Sequence, residues 1–305
     1  LINIVAQDLS ILAAGETLSA DDQSVMLARL NLLVKQWQGV ADMAPGLKVW
    51  TRKRLSIFFV SGQAQFTVSS SSSDKVGLNA VATVLTAGKL ANATSLTVSS
   101  TTGMTAADQI GICTTAGPIG WTTISSVDSS TGLTLPANTI GAASVNGVVY
   151  TYTTQANRFV QLENASVRDN SSVGQPIDIP ITIYKDLQLY EDIPQKMALG
   201  DPTAVWVEQL RDSTTVFTNR SGPNTWKTLN LTVLYSAEDY DATTNDIAFP
   251  QEWFAALEWE LALRCCPAFG RVWTKVMQAN YDRAVPIARQ LNPANTVMHF
   301  MPELY

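Results

Sequence analysis

The chain has 305 residues, 46% of them hydrophobic and 15% charged, with 20 Lys and Arg against 26 Asp and Glu for a net charge of −6. One His and three Cys exclude most zinc centres, which need four nitrogen or sulfur ligands or three and a water, and the adjacent Cys265 and Cys266 with a lone Cys113 exclude a disulfide framework. The acidic balance argues against a broad nucleic-acid-binding face, no apolar run approaches the roughly 18 residues of a membrane span, and no signal peptide opens the chain at Leu1. At about 150 residues per domain, the expectation is a soluble, cytoplasm-made protein of two domains or of one domain with a large insertion.

In chain order, residues 2–13 and 20–38 read as helices broken at Gly15. Ser19 suits an N-cap, Asp21 and Asp22 favour the positive end of the helix dipole, and Met26, Leu30, Leu33 and Trp37 form one apolar stripe. Leu55–Val60 and Gln65–Ser69, flanking Ser61-Gly62-Gln63-Ala64, predict a β-hairpin. The serine run Ser69–Ser73 then reads as a flexible entry to a different kind of sequence. Between Val76 and Asn157 the only charged residues are Lys89, Asp108 and Asp128. Short β-type runs recur there at 95–98, 109–112, 121–124 and 148–152, punctuated by Thr102-Gly103, Gly117-Pro118, Thr131-Gly132 and Asn146-Gly147. That pattern predicts a small antiparallel sandwich or barrel.

After the insertion, strands are expected near 159–168, 177–184, 203–210, 214–219 and 227–236, with one short helix within 186–193. A helix starting at Pro250 places Trp253, Leu257 and Leu261 on its core face and ends near Pro267. Residues 271–291 read as another helix, kinked at Pro286. The expected fold is therefore α+β: helices from both chain ends form a bundle, with a β-hairpin and sheet and an inserted antiparallel β domain. The corresponding divisions are 1–75 with 158–292 as the core, 76–157 as the insertion and 293–305 as an extended C-terminal tail.

Catalytic chemistry does not assemble. A nucleophile–histidine arrangement would have to use His299, beside which only Glu303 offers a carboxylate. Gly88-Lys89 lacks the upstream glycine and the following hydroxyl of a P-loop. The carboxylate pairs Glu258/Glu260, Asp239/Asp241 and Glu191/Asp192 read as solvated, and Cys265-Cys266 as small buried residues. The expectation is no enzyme, no cofactor and no metal. Three stretches suit contacts with other chains. Lys48, Arg52, Lys53 and Arg54 form the densest basic cluster, and Glu238, Asp239 and Asp241 are candidates for the complementary half of a subunit interface. The tail residues Val297, Met298, His299, Phe300, Met301, Leu304 and Tyr305 are too apolar for a solvated terminus and suit docking on a partner.

Three segments resemble the head-to-tail adaptors of tailed bacteriophages, of the podovirus packaged-DNA-stabilisation or tail-accessory type. They are Ala13–Asp22 leading to Leu30-Asn31 and Trp37; Pro180–Tyr184 leading through Tyr190–Lys196 to Gly200-Asp-Pro202; and Phe249–Trp253 leading through Ala255–Leu257 and Leu261–Leu263 to Pro267–Gly270. The resemblance implies a virion protein at the head–tail interface, assembled in the host cytoplasm as a ring of twelve copies. It would sit between the portal ring and the tail tube or nozzle, with genomic DNA passing through without sequence-specific binding. The C-terminal tail would reach the portal, and the insertion would touch tail fibres, spikes or a neighbouring copy. A carbohydrate- or receptor-binding tail protein is the alternative, with Trp121, Tyr150 and Tyr152 as stacking residues.

Overall fold

A computed structural model describes residues 1–13, 15–38, 51–137, 140–172, 174–222, 224–235, 240 and 251–290. In chain order the elements are α1 (Ile2–Asp8), α2 (Ala20–Gln38), β1 (Thr51–Phe58), β2 (Gln65–Val68), β3 (Val76–Leu78), β4 (Val81–Val84), β5 (Ser95–Thr97), β6 (Gln109–Cys113), β7 (Ile119–Thr123), β8 (Ser126–Val127), β9 (Gly132–Thr134) and β10 (Val148–Tyr152). There follow β11 (Gln161–Asp169), β12 (Ile177–Pro180), β13 (Thr182–Tyr184), α3 (Leu187–Glu191), β14 (Ala204–Gln209), β15 (Thr214–Thr218), β16 (Lys227–Tyr235), a 3-10 turn (Gln251–Trp253), α4 (Phe254–Cys265) and α5 (Lys275–Gln290). The fold is mixed α+β with sheets predominating, and the chain divides into two compact units, 1–51 with 236–305 and 52–235. The boundaries read from charge density, at 76 and 157, both fall inside the second unit, because the strands on either side of the insertion join one sandwich.

In the first unit, Ser19 caps α2 as its side chain predicts: its hydroxyl accepts from Asp22 N (3.1 Å) and donates to Asp22 Oδ2 (2.7 Å). The stripe Met26, Leu30, Leu33 and Trp37 is buried in one cluster with Ile2 and Val5 of α1 and the Leu9 that follows it, Trp253, Leu257 and Leu261 of the second helical region, and Val285 of α5. Burying each Leu or Met side chain there contributes about 1.5–3 kcal/mol. Helix α1 stops five residues short of the expected end, because Ser10 turns left-handed (φ 54°) and a left-handed residue cannot continue the helix. The carbonyl of Arg264 near the end of α4 accepts from Arg29 Nη1 at 2.6 Å, satisfying one of the orphan acceptors of that terminus.

The second unit holds a sandwich and a smaller β body. One sheet runs β12-β11-β16-β1-β3, the other β13-β14-β15-β2, and both contribute to one core that includes Leu55, Ile57, Val167, Leu231, Phe66 and Val216. The expected hairpin at 61–64 is not formed. Strand β1 pairs with β3 while β2 pairs with β15, so the turn carries the chain from one sheet to the other. Alternating apolar residues on both arms satisfy a sandwich corner as well as a hairpin, which is why the pattern misleads. The 177–184 segment similarly divides at Ile181, with β12 in one sheet and β13 in the other.

Strand β12 is an edge, and its sequence blunts it. Ile181 N donates to Ala165 O, so by the antiparallel register Ile177 and Ile179 bond inward to β11 while Asp178 and Pro180 face the open side. Pro176, two residues before Asp178, has the same parity. An edge on which two of the three outward positions lack an N–H and the third carries a charge offers a poor template for another strand.

The smaller body, residues 81–152, is built from the sheets β4-β10-β6-β7 and β5-β9-β8 around Leu85, Val98, Ile110, Ile112, Leu133 and Val149. Leu85 bridges Val98, tying the two sheets together.

Candidate functional site

The site is built on the face of β1 that points away from the sandwich core. Leu55 and Ile57 face inward, so Ser56 and Phe58 face outward. Ser56 pairs with Gly77 on β3, and continuing that register puts Lys75 opposite Phe58; Phe58 N accordingly donates to Lys75 O. Gly77 is required here. A Cβ at this position would lie 2.6 Å from the Tyr152 ring, which lies against the same face. Phe58 packs against Trp121 (centroids 4.9 Å, edge-on), Tyr150 (4.9 Å) and Tyr152 (5.8 Å, stacked), joining the sandwich to the smaller body through one aromatic seam.

The seam opens at Lys75 into a cleft of about 480 Å³, between the end of β1 and the β6–β7 hairpin. Its walls include Phe58, Phe59, Phe66, Ile119 and Trp121. The polar groups of the wall are unevenly committed. Asp74 accepts from Gln63 Nε2 (2.8 Å) through one oxygen and from Thr67 N (2.7 Å) through the other. The Thr225 carbonyl accepts from Tyr150 OH (3.0 Å) and Cys113 Sγ (3.4 Å). Lys75, half-buried, has no carboxylate within ion-pair distance among the described residues.

Tyr150 and Tyr152, expected as sugar-stacking residues under the alternative reading, are both buried, at 1% and 3% exposure. Their hydroxyls are spent on Thr225 O and Gln155 Oε1, and burial raises both phenols, Tyr152 to about 12. They are packing residues. Only Trp121 of the three lines open space.

The basic stretch splits by strand alternation. Arg52 makes a two-pronged pair with Glu163 (2.5 and 3.1 Å), Lys53 lies over the Tyr235 ring at 4.9 Å, and Arg54 borders a polar depression of about 360 Å³ on the sheet face. In that depression Arg168 holds Asp178 through two 2.7 Å bonds, pulling its carboxyl below the usual range. Glu163 and Asp178 were not legible as partners: Glu163 lies 111 residues from Arg52, and strand register alone brings them together. Lys48, Glu238, Asp239 and Asp241, and the tail residues Val297, Met298, His299, Phe300, Met301, Leu304 and Tyr305, lie outside the described residues.

Among the described residues reactive chemistry does not converge. Among the described residues no group of three His, Cys, Asp or Glu is placed to hold a metal ion. Burial pushes the thiols of Cys113 and Cys265 up to about 11 and raises that of Cys266, leaving all three protonated and poor nucleophiles at neutral pH. Of the paired carboxylates, Glu260 reaches Arg264 (3.4 Å). Burial, then hydrogen bonding to and repulsion from Asp8, holds Glu258 up at about 7. No helix among the described residues is long and apolar enough to cross a membrane. Comparison with known proteins finds no matching family model, no matching curated protein and no matching solved structure.

Proposed function

We propose that this chain is a structural protein of a phage virion: a head-to-tail adaptor that assembles as a ring, of twelve copies, between the portal and the tail tube or nozzle. The observation that carries the reading is where the resembling segments meet. Leu30 and Trp37 from the first segment, and Trp253, Leu257 and Leu261 from the third, pack into one cluster across more than 200 residues of sequence. Trp37 and Trp253 stand 6.4 Å apart. Asn31, beside Leu30 in the motif, accepts from Tyr240 N (2.9 Å) and donates to Tyr240 O (3.1 Å). The middle segment serves the sandwich: Tyr190 stacks on Trp206, and Asp201 pairs with Lys227 at 2.6 Å. In this reading the terminal helices are the bundle of the adaptor.

A second feature suits a ring. The helical unit exposes Val25, Leu32, Val272, Val276 and Ile287, between 40% and 81% open, and apolar side chains of this kind are what neighbouring subunits of a ring would cover. Under this proposal the polypeptide performs no catalysis, and its partners are the portal ring, the tail-side tube and copies of itself.

Native mass spectrometry of the chain alone and mixed with the cognate portal ring tests the proposal. Addition of about twelve copies to the portal is the expected result. Absence of any portal association, or a stable trimer of the chain alone, overturns it.

A further inference from the structure

We infer that the cleft between β1 and the β6–β7 hairpin is a binding site for a small organic anion with an aromatic body. The inference stands apart from the adaptor reading and does not need it. At about 480 Å³ the cleft has the size of a site for a small molecule rather than for a single water or a long groove. Its floor is aromatic and buried: Phe58, Phe59 and Phe66 are each 2% exposed or less. Trp121 offers a partly open ring at the wall, braced edge-on by Phe58 and Tyr152, so a flat ligand finds a fixed apolar surface at little cost in side-chain ordering.

The charge of the ligand follows from which polar groups remain free. Asp74 has both oxygens occupied by donors of the protein itself, and the Thr225 carbonyl takes two donors. Lys75 is the half-buried cation left without a carboxylate among the described residues, and the β1–β3 register sets it beside Phe58 on the aromatic side. An ammonium next to an apolar floor is best complemented by an anion whose apolar body covers that floor. A sugar fits less well, because its several hydroxyls would face phenyl rings, with hydroxyl partners only at the exposed Ser61 and Ser73. The β6–β7 tip, Ala116–Gly117–Pro118, forms the exposed outer lip.

Fluorescence titration of the full chain with 8-anilinonaphthalene-1-sulfonate, and in parallel with its uncharged relative N-phenyl-1-naphthylamine, tests the site. One saturable site per chain is expected for both probes. In Lys75→Met the sulfonate is expected to weaken about tenfold, the equivalent of one partly screened ion pair. The neutral probe should stay within about twofold, and Lys185→Met, at an exposed lysine away from the cleft, should change neither. Ser61→Trp on one rim and Pro118→Trp on the other should each block both probes, and circular dichroism verifies that each variant is folded. Equal sulfonate affinity in wild type and Lys75→Met overturns the anion assignment. Saturable binding that survives both rim substitutions, or no one-to-one binding of either probe, overturns the site.

Discussion

The smaller β body and the helical unit each bury an apolar cluster, yet the polar side chains that tie them work mostly at different ranges. In the body of residues 81–152 two of the three charges act locally. Asp108, 1% exposed, accepts from Thr105 N (2.6 Å) and Thr105 Oγ1 (2.9 Å). Asp128 accepts from Ser126 and Thr134 hydroxyls, which hold its carboxyl below the usual range. Buried Lys89 donates to the carbonyls of Leu90 (3.1 Å) and Ile140 (3.5 Å). Two of the three charges thus pin a turn within six residues of themselves. In the helical unit the polar ties span the chain: Arg29 to Arg264, Asn31 to Tyr240, Arg264 to Gln36. The difference teaches that low charge density marks a body stapled by its own turns, whereas the helical unit depends on chain ends finding each other.

The largest effect that would break this contrast is expected in the helical core. Leu257 is fully buried, and Leu257→Ala should cost about 2–5 kcal/mol. By hydrogen exchange the loss should appear in α1, α2 and α4 and leave the amides of β6 and β10 unchanged. The matching test in the β body is Asp108→Ala, which strands the Thr105 amide and hydroxyl and should cost about 1–3 kcal/mol. Its exchange signature should be confined to 81–152. A signature for Asp108→Ala that reached the helices would refute the local-staple account. Asn31→Ala removes both bonds to the Tyr240 backbone and should cost about 1–2 kcal/mol, with faster exchange at the amide of Tyr240.

Proton linkage sharpens the contrast further, because it is expected in the helical unit. Glu258 sits at about 7, above its ordinary value of 4.5, and Asp8 Oδ2 is buried with no hydrogen-bond partner. The folded state therefore binds this proton more tightly than the unfolded chain. Its contribution is fully present below pH 4.5 and is lost as the pH rises through 7. Unfolding free energies from denaturant titrations between pH 5 and 8 should fall with rising pH by an amount on the order of 1 kcal/mol, allowing for solvent screening. In Glu258→Gln that part of the slope should vanish. An unchanged slope would remove Glu258 as its source.

How far the sequence was legible follows the same division. Runs at 109–112 and 148–152 became β6 and β10, because their turns are encoded nearby, with Gly103, Gly117 and Asn146 all at positive φ. The stripe on α2 was equally plain, since helical spacing is a local property. What stayed hidden was pairing. Nothing in Leu55–Ser69 distinguishes two strands of one hairpin from two strands of facing sheets. Nothing near Phe58 announces that Tyr150 and Tyr152, some 90 residues on, will cover it. The cleft was invisible for the same reason: Lys75 lies at the end of the serine run, and its position opposite Phe58 is a consequence of register.

The smallest expected effect concerns the basic stretch that sequence reading singled out for contact with other chains. Arg52 is 60% exposed and already paired with Glu163, and the same hydrogen bonds keep its guanidinium more firmly protonated than usual. In the free chain a double-mutant cycle of Arg52→Ala and Glu163→Ala should give a coupling of about 0.2–1 kcal/mol that shrinks with added salt, as for other exposed pairs. Burial at a subunit boundary would remove that screening and leave either partner costly to delete alone. If the chain assembles on a portal ring as proposed, repeating the cycle on that assembly reads out position. A coupling that stays small and salt-sensitive places β1 on the open surface of the assembled protein. One that rises well above 1 kcal/mol and resists salt places it in the boundary.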